Sequence, residues 1–267
     1  MNPALSALGD GAVIAKRNLI KIKRVPDLLV FATVQPIMFV LLFAYVFGSS
    51  IVIPGMNYRE FLMAGIFTQT VVFGATLTGA GLADDMQKGI IDRFRSLPMA
   101  RSAVLIGRTT SDLLNNLLVV FVMTVSGLVV GWRIHTSILE ALGGIVLLLL
   151  FAYAISWVMA LIGLSVSSPE VVNNASFIII FPLTFIANTF VSSERLPGPL
   201  KTVAEWNPVS AVTQAVRVQF GNTSPQQPAA HAWPLQHAAL ASFIWIVVIL
   251  VIFVPLATRQ YKRATAR

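Results

Sequence analysis

An all-α polytopic membrane protein is the fold class this sequence predicts, and three observations predict it. Of 267 residues, 56% are hydrophobic and only 11% are charged, and the mean hydropathy is +0.79. Soluble domains carry about 25% charged residues, so this composition belongs to a chain whose solvent is lipid. Six uncharged apolar runs follow one another, each close to the ~20 residues a helix needs to cross ~30 Å of hydrocarbon. None alternates apolar with polar residues, the pattern of a membrane barrel, so the spans are read as six helices.

Residues 1–27 precede the first run. Leu8, Ala12, Ala15, Leu19, Ile22 and Pro26 fall on one face of a helix, and Lys16, Arg17, Lys21, Lys23 and Arg24 on the other. Val13 and Ile20 interrupt the basic face. This is the pattern of an amphipathic helix lying in the membrane interface, its bases toward headgroups or a partner. A plain topogenic basic terminus is the alternative. No cleavable signal is expected, because the next run is as long as a full span and no A-x-A site follows it.

The runs are Leu28–Gly48, Phe61–Ala83, Leu113–Val130, Ala141–Val166, Val171–Ser193 and Ala238–Thr258. Together, residues 28–258 read as one membrane domain, and 259–267 as a tail. Pro36 and Pro182 are expected to kink the first and fifth spans. Between the second and third runs lies a charged island, residues 84–108. It carries Asp84, Asp85 and Asp92 with Lys88, Arg93, Arg95, Arg101 and Arg108. Two short helices joined at Ser96-Leu97-Pro98 are expected there, because Pro98 cannot continue a helix and biases Leu97 away from helical geometry. Ser111 and Asp112 are read as capping the third helix.

Lysine and arginine set the orientation. With six spans both termini share a side. That side holds five bases before the first span, five in the island and four in the tail, fourteen in all; the other side holds Arg59, Arg133, Arg195, Lys201 and Arg217. The termini and the island are therefore expected in the cytoplasm, and the segment joining the fifth and sixth spans outside. In that segment, residues 196–221 read as two short helices dipping into the outer leaflet or capping the bundle. Pro199 opens the first; Asn207-Pro208 stops it and opens the second, whose stripe is Val209, Val212, Val216 and Phe220. Residues 222–236 read as an irregular connector.

Much chemistry is missing. There is no cysteine and no Gly-Lys dipeptide, hence no thiol chemistry and no P-loop. His135, His231 and His237 lack metal-ligand spacing, and no acid or base sits at midspan, where ion-coupled carriers keep one. The bases flank apolar spans, which argues against a nucleic-acid partner. A membrane bundle with no nucleotide site and no proton relay, but with a charged inner island, is expected to take its energy from a separate subunit docked on that island. An ordinary positive-inside loop would show the same charge.

The island and one further segment carry a resemblance. Gly89–Arg108, G-I-I-D-R-F-R-S-L-P-M-A-R-S-A-V-L-I-G-R, and Asn207–Arg217, N-P-V-S-A-V-T-Q-A-V-R, resemble permease subunits of ABC-2 type exporters, most closely the daunorubicin/doxorubicin-resistance (DrrB-like) branch. The likeness runs over essentially the whole chain. It implies a non-enzymatic permease of a bacterial cytoplasmic membrane that pairs with a second permease, identical or related, and with two cytoplasmic ATPase subunits. ATP and Mg would be bound by those subunits and no cofactor by this chain. The implied cargo is a hydrophobic or amphipathic drug, antibiotic or lipid. The implied ATPase-coupling residues are Lys16, Arg17, Lys21, Arg24, Asp84, Asp85, Asp92, Arg93, Arg95 and Arg101. An implied pathway along the second and fifth spans offers Phe67, Gln69, Thr70 and Phe73, then Asn173, Asn174, Phe177, Phe181 and Asn188. Phe177, Phe181 and Phe185 share a face, which would suit lipid or a neighbouring helix as well as cargo. Asn207, Pro208 and Arg217 would gate the exit. A polysaccharide or cell-wall precursor exporter on the same scaffold, and a non-transporting membrane scaffold, are the alternatives.

Overall fold

The computed structural model describes residues 13, 16–18, 20, 26–47, 53–91, 103–166, 168–226 and 231–264. Every named element among them is helical. In order they are α1 (Pro26–Leu41, continued by a π-helical turn over Leu42–Phe47), α2 (Tyr58–Gly74), α3 (Thr76–Gln87), α4 (Ala103–Val130), α5 (Ile138–Gly163), α6 (Pro169–Phe185), α7 (Gly198–Trp206), α8 (Pro208–Gln219), the single turn α9 (Trp233–Gln236) and α10 (Ala238–Ala264). A 3-10 turn spans Ser193–Arg195. Four stretches are long and apolar enough to cross a membrane: Tyr58–Gln87, Val104–Val130, Ile138–Gly163 and Ala238–Ala264. The apolar stretches Val34–Val46 and Pro169–Phe185 are shorter. The chain is a multi-pass, all-helical membrane protein.

α5 is the centre. It opens with a capping box, in which the Ser137 hydroxyl takes the Glu140 amide and the Glu140 carboxylate takes the Ser137 amide at 3.0 Å. It then packs against α2, α3, α4, α8 and α10. Its crossing with α3 is a backbone contact. A Cβ on Gly79 would lie 2.6 Å from the Met159 carbonyl oxygen, and a Cβ on Gly163 would lie 2.3 Å from the Gly79 oxygen. In lipid, where apolar burial gives no driving force between helices, such small residues let van der Waals packing hold the pair. α2 and α3 run on as one stretch broken only at Ala75. α1 lies along α4 and α2, and α6 lies along α3.

Several sequence expectations are corrected. The third helix begins at Ala103, not at Leu113, so Ser111 and Asp112 sit inside it and cap nothing. The i,i+4 spacing of Arg108 and Asp112 explains how the helix carries these charges: the two pair with each other at 3.0 Å. The outer parts of the island, 84–87 and 103–108, belong to α3 and α4; after α3 the chain turns at Lys88-Gly89, with Gly89 at φ +64°, and is helical again at residues 90–91. Ser96-Leu97-Pro98 lies outside the described residues, as do most positions of the expected N-terminal helix. The fifth apolar run does not stay helical to Ser193: α6 ends at Phe185, past Pro182, and the chain turns through residues 186–192. The connector after residue 222 contains the helical turn α9.

The break at Asn207-Pro208 is where the sequence places it. The Asn207 side chain accepts from the Val209 amide at 2.8 Å, and Pro208 occupies the first turn. α8 ends in a Schellman motif: the Asn222 amide donates to the Arg217 carbonyl and the Gly221 amide to the Val218 carbonyl. Gly221 sits at φ +70°, a conformation that favours glycine. Val209, Val212, Val216 and Phe220 are all buried where α8 meets α2, α5 and α10.

Candidate functional site

Three places bring predicted residues together. The first lies where the N-terminal segment meets the island end of α3 and α4. An Arg17 Nη donates to both oxygens of Asp85, at 2.9 and 3.1 Å. The Arg17 side chain is 33% exposed and that of Asp85 only 5%, so the pair sits at a boundary. One residue on, the Asn18 amide donates to the Ser111 hydroxyl at 3.2 Å. Two contacts thus tie residues 17 and 18 to α3 and α4 together. Asp84 is half-buried and pairs with the exposed Lys88 at 2.8 Å, and Lys16 is exposed. Lys21, Arg24, Asp92, Arg93, Arg95 and Arg101 lie outside the described residues.

Deeper on the same side is a polar knot that sequence reasoning missed. Asp112 Oδ2 accepts from Arg108 Nε at 3.0 Å and from the Thr78 hydroxyl at 2.6 Å. Arg108 also donates to the Leu77 carbonyl at 2.6 Å, just past the Ala75 break. The Arg108–Asp112 spacing was legible; the arrival of Thr78 from another helix was not. Two charges so placed are tolerable in lipid because they pair and are further hydrogen-bonded.

The second place is a cavity of about 310 Å³ framed by α1, α2, α4 and α6 together with the start of α3. Of the expected pathway residues it collects Gln69, Thr70, Phe73, Phe177 and Phe181. It adds Phe185 and, from helices the sequence did not assign to it, Gln35, Phe39, Asn115 and Asn116. Phe177, Phe181 and Phe185 form a stacked ladder, with centroids 5.0 and 4.1 Å apart. Phe67 is elsewhere: it packs in a buried aromatic cluster with Trp132 and Phe220, at 5.6 and 5.7 Å. Asn173 and Asn174 are exposed on α6. Asn188 is buried in the turn after α6, where its amide donates to the Ser210 hydroxyl at 3.0 Å.

The third place is the opposite end. Arg217 is only 1% exposed. Its guanidinium donates to the Phe61 carbonyl through Nε and Nη2 (3.2 and 3.1 Å), to the Asn188 carbonyl (3.1 Å) and to the Gln214 side chain (3.1 Å). It also stacks 3.7 Å from the Phe61 ring. The cation therefore staples α8, α2 and the turn after α6. Asn207 does more than cap: its Nδ2 donates to the Leu183 carbonyl at 2.7 Å, freed by the helix end. At the rim, Lys201 bridges toward Glu194 and Glu205, and the hydrogen bond to Glu194 raises the Lys201 pKa above the usual lysine value. No group of three or more metal-ligating side chains occurs among the described residues.

Comparison with known proteins finds the following similarities. The family model for ABC-2 type transporters matches residues 11–220. The chain is 30% identical to the daunorubicin resistance ABC transporter permease protein DrrB1 of Streptomyces coeruleorubidus over 94% of this chain and 85% of the relative. It is 24% identical to the "Probable doxorubicin resistance ABC transporter permease protein DrrC" of Mycobacterium tuberculosis over 88% and 81%.

Proposed function

Because the chain belongs to the ABC-2 type transporter family, as a permease subunit whose ATPase is a partner protein, we propose that it exports a hydrophobic or amphipathic drug, antibiotic or lipid. In this reading two ATPase subunits and a second permease, identical or related, complete the exporter. The membrane is a bacterial cytoplasmic membrane, both termini and the island face the cytoplasm, and α1 and α6 make up six spans. The fourteen-to-five partition of lysine and arginine supports the orientation. The names of the relatives support the cargo class.

The observation that carries the reading is the double tie of Arg17 to Asp85 and Asn18 to Ser111. It makes one handle of the N-terminal segment and the helix ends bordering the island, so that closure of the ATPase pair can push both together. The cavity lies along α2 and α6, where that push would change its shape. The remaining coupling residues, Lys16, Lys21, Arg24, Asp84, Asp92, Arg93, Arg95 and Arg101, are assigned to the ATPase-facing surface of the handle. Asn207, Pro208 and Arg217 are assigned to the exit.

The test is co-expression with a candidate ABC ATPase subunit. The two should copurify, and Arg93→Glu with Arg95→Glu should uncouple transport from ATP hydrolysis while membrane insertion is kept. Undiminished transport by that double variant would rule out the docking role. Flux with no ATPase present would rule out the whole reading.

A further inference from the structure

The cavity keeps two side-chain amides unspent. No described ionisable residue lines it, and five phenylalanines stand in its wall: Phe39, Phe73, Phe177, Phe181 and Phe185. Of its polar side chains, Thr76 has given its hydroxyl proton to the Phe73 carbonyl at 2.7 Å, and the Nδ2 of Asn116 donates to the Asp112 carbonyl at 3.1 Å. The other end of Asn116 is packed against Gly74 and sealed. Gln69 on α2 and Asn115 on α4 differ. They are 5% and 8% exposed, yet no described residue hydrogen-bonds to either amide. Both ends of each amide keep accessible surface, and both side chains line the cavity. An amide held in apolar surroundings without a partner costs free energy that a ligand supplying one recovers on binding. Each amide carries donors and an acceptor, so two of them, from two helices, match a polar group that itself both donates and accepts. They offer no counter-ion. The Arg108–Asp112 pair, one turn before Asn116, is closed on itself and on Thr78. An ammonium or a carboxylate entering the cavity would therefore shed its hydration without meeting an opposite charge. At about 310 Å³ the cavity is at the small end of ligand sites, which run from roughly 300 to 1,000 Å³. It suits a flat ring system rather than a long chain.

We propose that this cavity, within a single chain, binds a flat apolar molecule whose polar edge is an uncharged group that both donates and accepts, of the carboxamide type. The ring system lies along Phe177, Phe181 and Phe185, and Gln69 and Asn115 hold the polar edge from α2 and α4. These two amides are then specificity-determining residues, and the proposal gives the transport reading a ligand chemistry. It rests on that reading for its biological meaning, but its test does not, because equilibrium binding needs neither an ATPase nor a second permease. Failure to copurify with an ATPase would sink the transport reading and leave the binding result standing.

The test uses the full chain in lipid nanodiscs, with empty discs subtracted, and four probes on one ring system: 2-naphthamide, 2-isopropylnaphthalene, 2-naphthylmethylammonium and 2-naphthoate. Naphthalene fluorescence reads binding. In Gln69→Met, and separately in Asn115→Leu, 2-naphthamide should lose roughly three- to tenfold in affinity, the span expected of one hydrogen bond. 2-Isopropylnaphthalene should bind those variants as it binds the unaltered chain, which also shows that the cavity is intact. Phe181→Ala should weaken both neutral probes, and the two charged probes should bind most weakly throughout. Naphthamide affinity that survives in either amide variant would overturn the proposal, as expected if water or a lipid tail fills the cavity. So would tightest binding by a charged probe, or indifference of both neutral probes to Phe181→Ala. Loss of both neutral probes together in the amide variants would also overturn it, because the amides would then support the cavity wall and not the ligand.

Discussion

Removing either half of the Arg17–Asp85 pair should not cost the same. Asp85 keeps only 5% of its side chain exposed while Arg17 keeps a third. In Arg17→Ala the carboxylate stays buried without this partner, and a stranded charged acceptor costs about 2–3 kcal/mol. In Asp85→Ala the arginine can still reach water, so the loss is the net value of the contact, about 1 kcal/mol after solvent screening. The double variant leaves nothing stranded, so it should fall short of the sum by about 1–2 kcal/mol. The assay is a double-mutant cycle on thermal unfolding in nanodiscs, repeated on the affinity of the copurified ATPase. If Arg17→Ala is no worse than Asp85→Ala, or if the two add, the reasoning about the pair is wrong. An intact cycle with unchanged ATPase affinity would instead make the clip purely structural.

Arg217→Lys should destabilise the fold by about 2 kcal/mol or more. A point ammonium cannot span the Phe61, Asn188 and Gln214 acceptors or stack as the planar fork does; denaturation in detergent measures it. Gly79→Ala should separate α3 from α5, because its methyl would meet the Met159 carbonyl at 2.6 Å. Engineered cysteine pairs across that crossing should cross-link more slowly, with about 1–3 kcal/mol of stability lost. Asn207→Ala should cost about 1–2 kcal/mol, since it removes both the α8 cap and the bond to the Leu183 carbonyl, and it should expose the 198–219 region to protease first.

Much of the arrangement was written in local pattern. The Asn207-Pro208 break, the buried Val209–Val212–Val216–Phe220 stripe and the apolar helices follow from residue type and spacing alone. Where local pattern misled, a longer-range partner had overruled it. Asp112 looked like a cap because a lone acid near an apolar run usually is one, but its partners are Arg108, one turn back, and Thr78 on another helix. The run from Val171 to Ser193 looked uniformly helical, yet it ends past Pro182, where Asn188 is wanted by Ser210 and Arg217.

By itself, then, the sequence determined that the chain must live in lipid, be helical and keep its charges out of the apolar spans, because hydrocarbon leaves every backbone amide to be satisfied within its own segment and makes an unpaired charge costly. Only the tertiary structure decided which way each polar side chain found its match. Arg17 meets Asp85 across 68 residues, Phe67 turns to Trp132 rather than to the cavity, and Arg217 reaches the Phe61 and Asn188 carbonyls from α8. Helical periodicity fixes a face, but the helix that comes to lie against that face is set by packing, and packing is not periodic in the sequence.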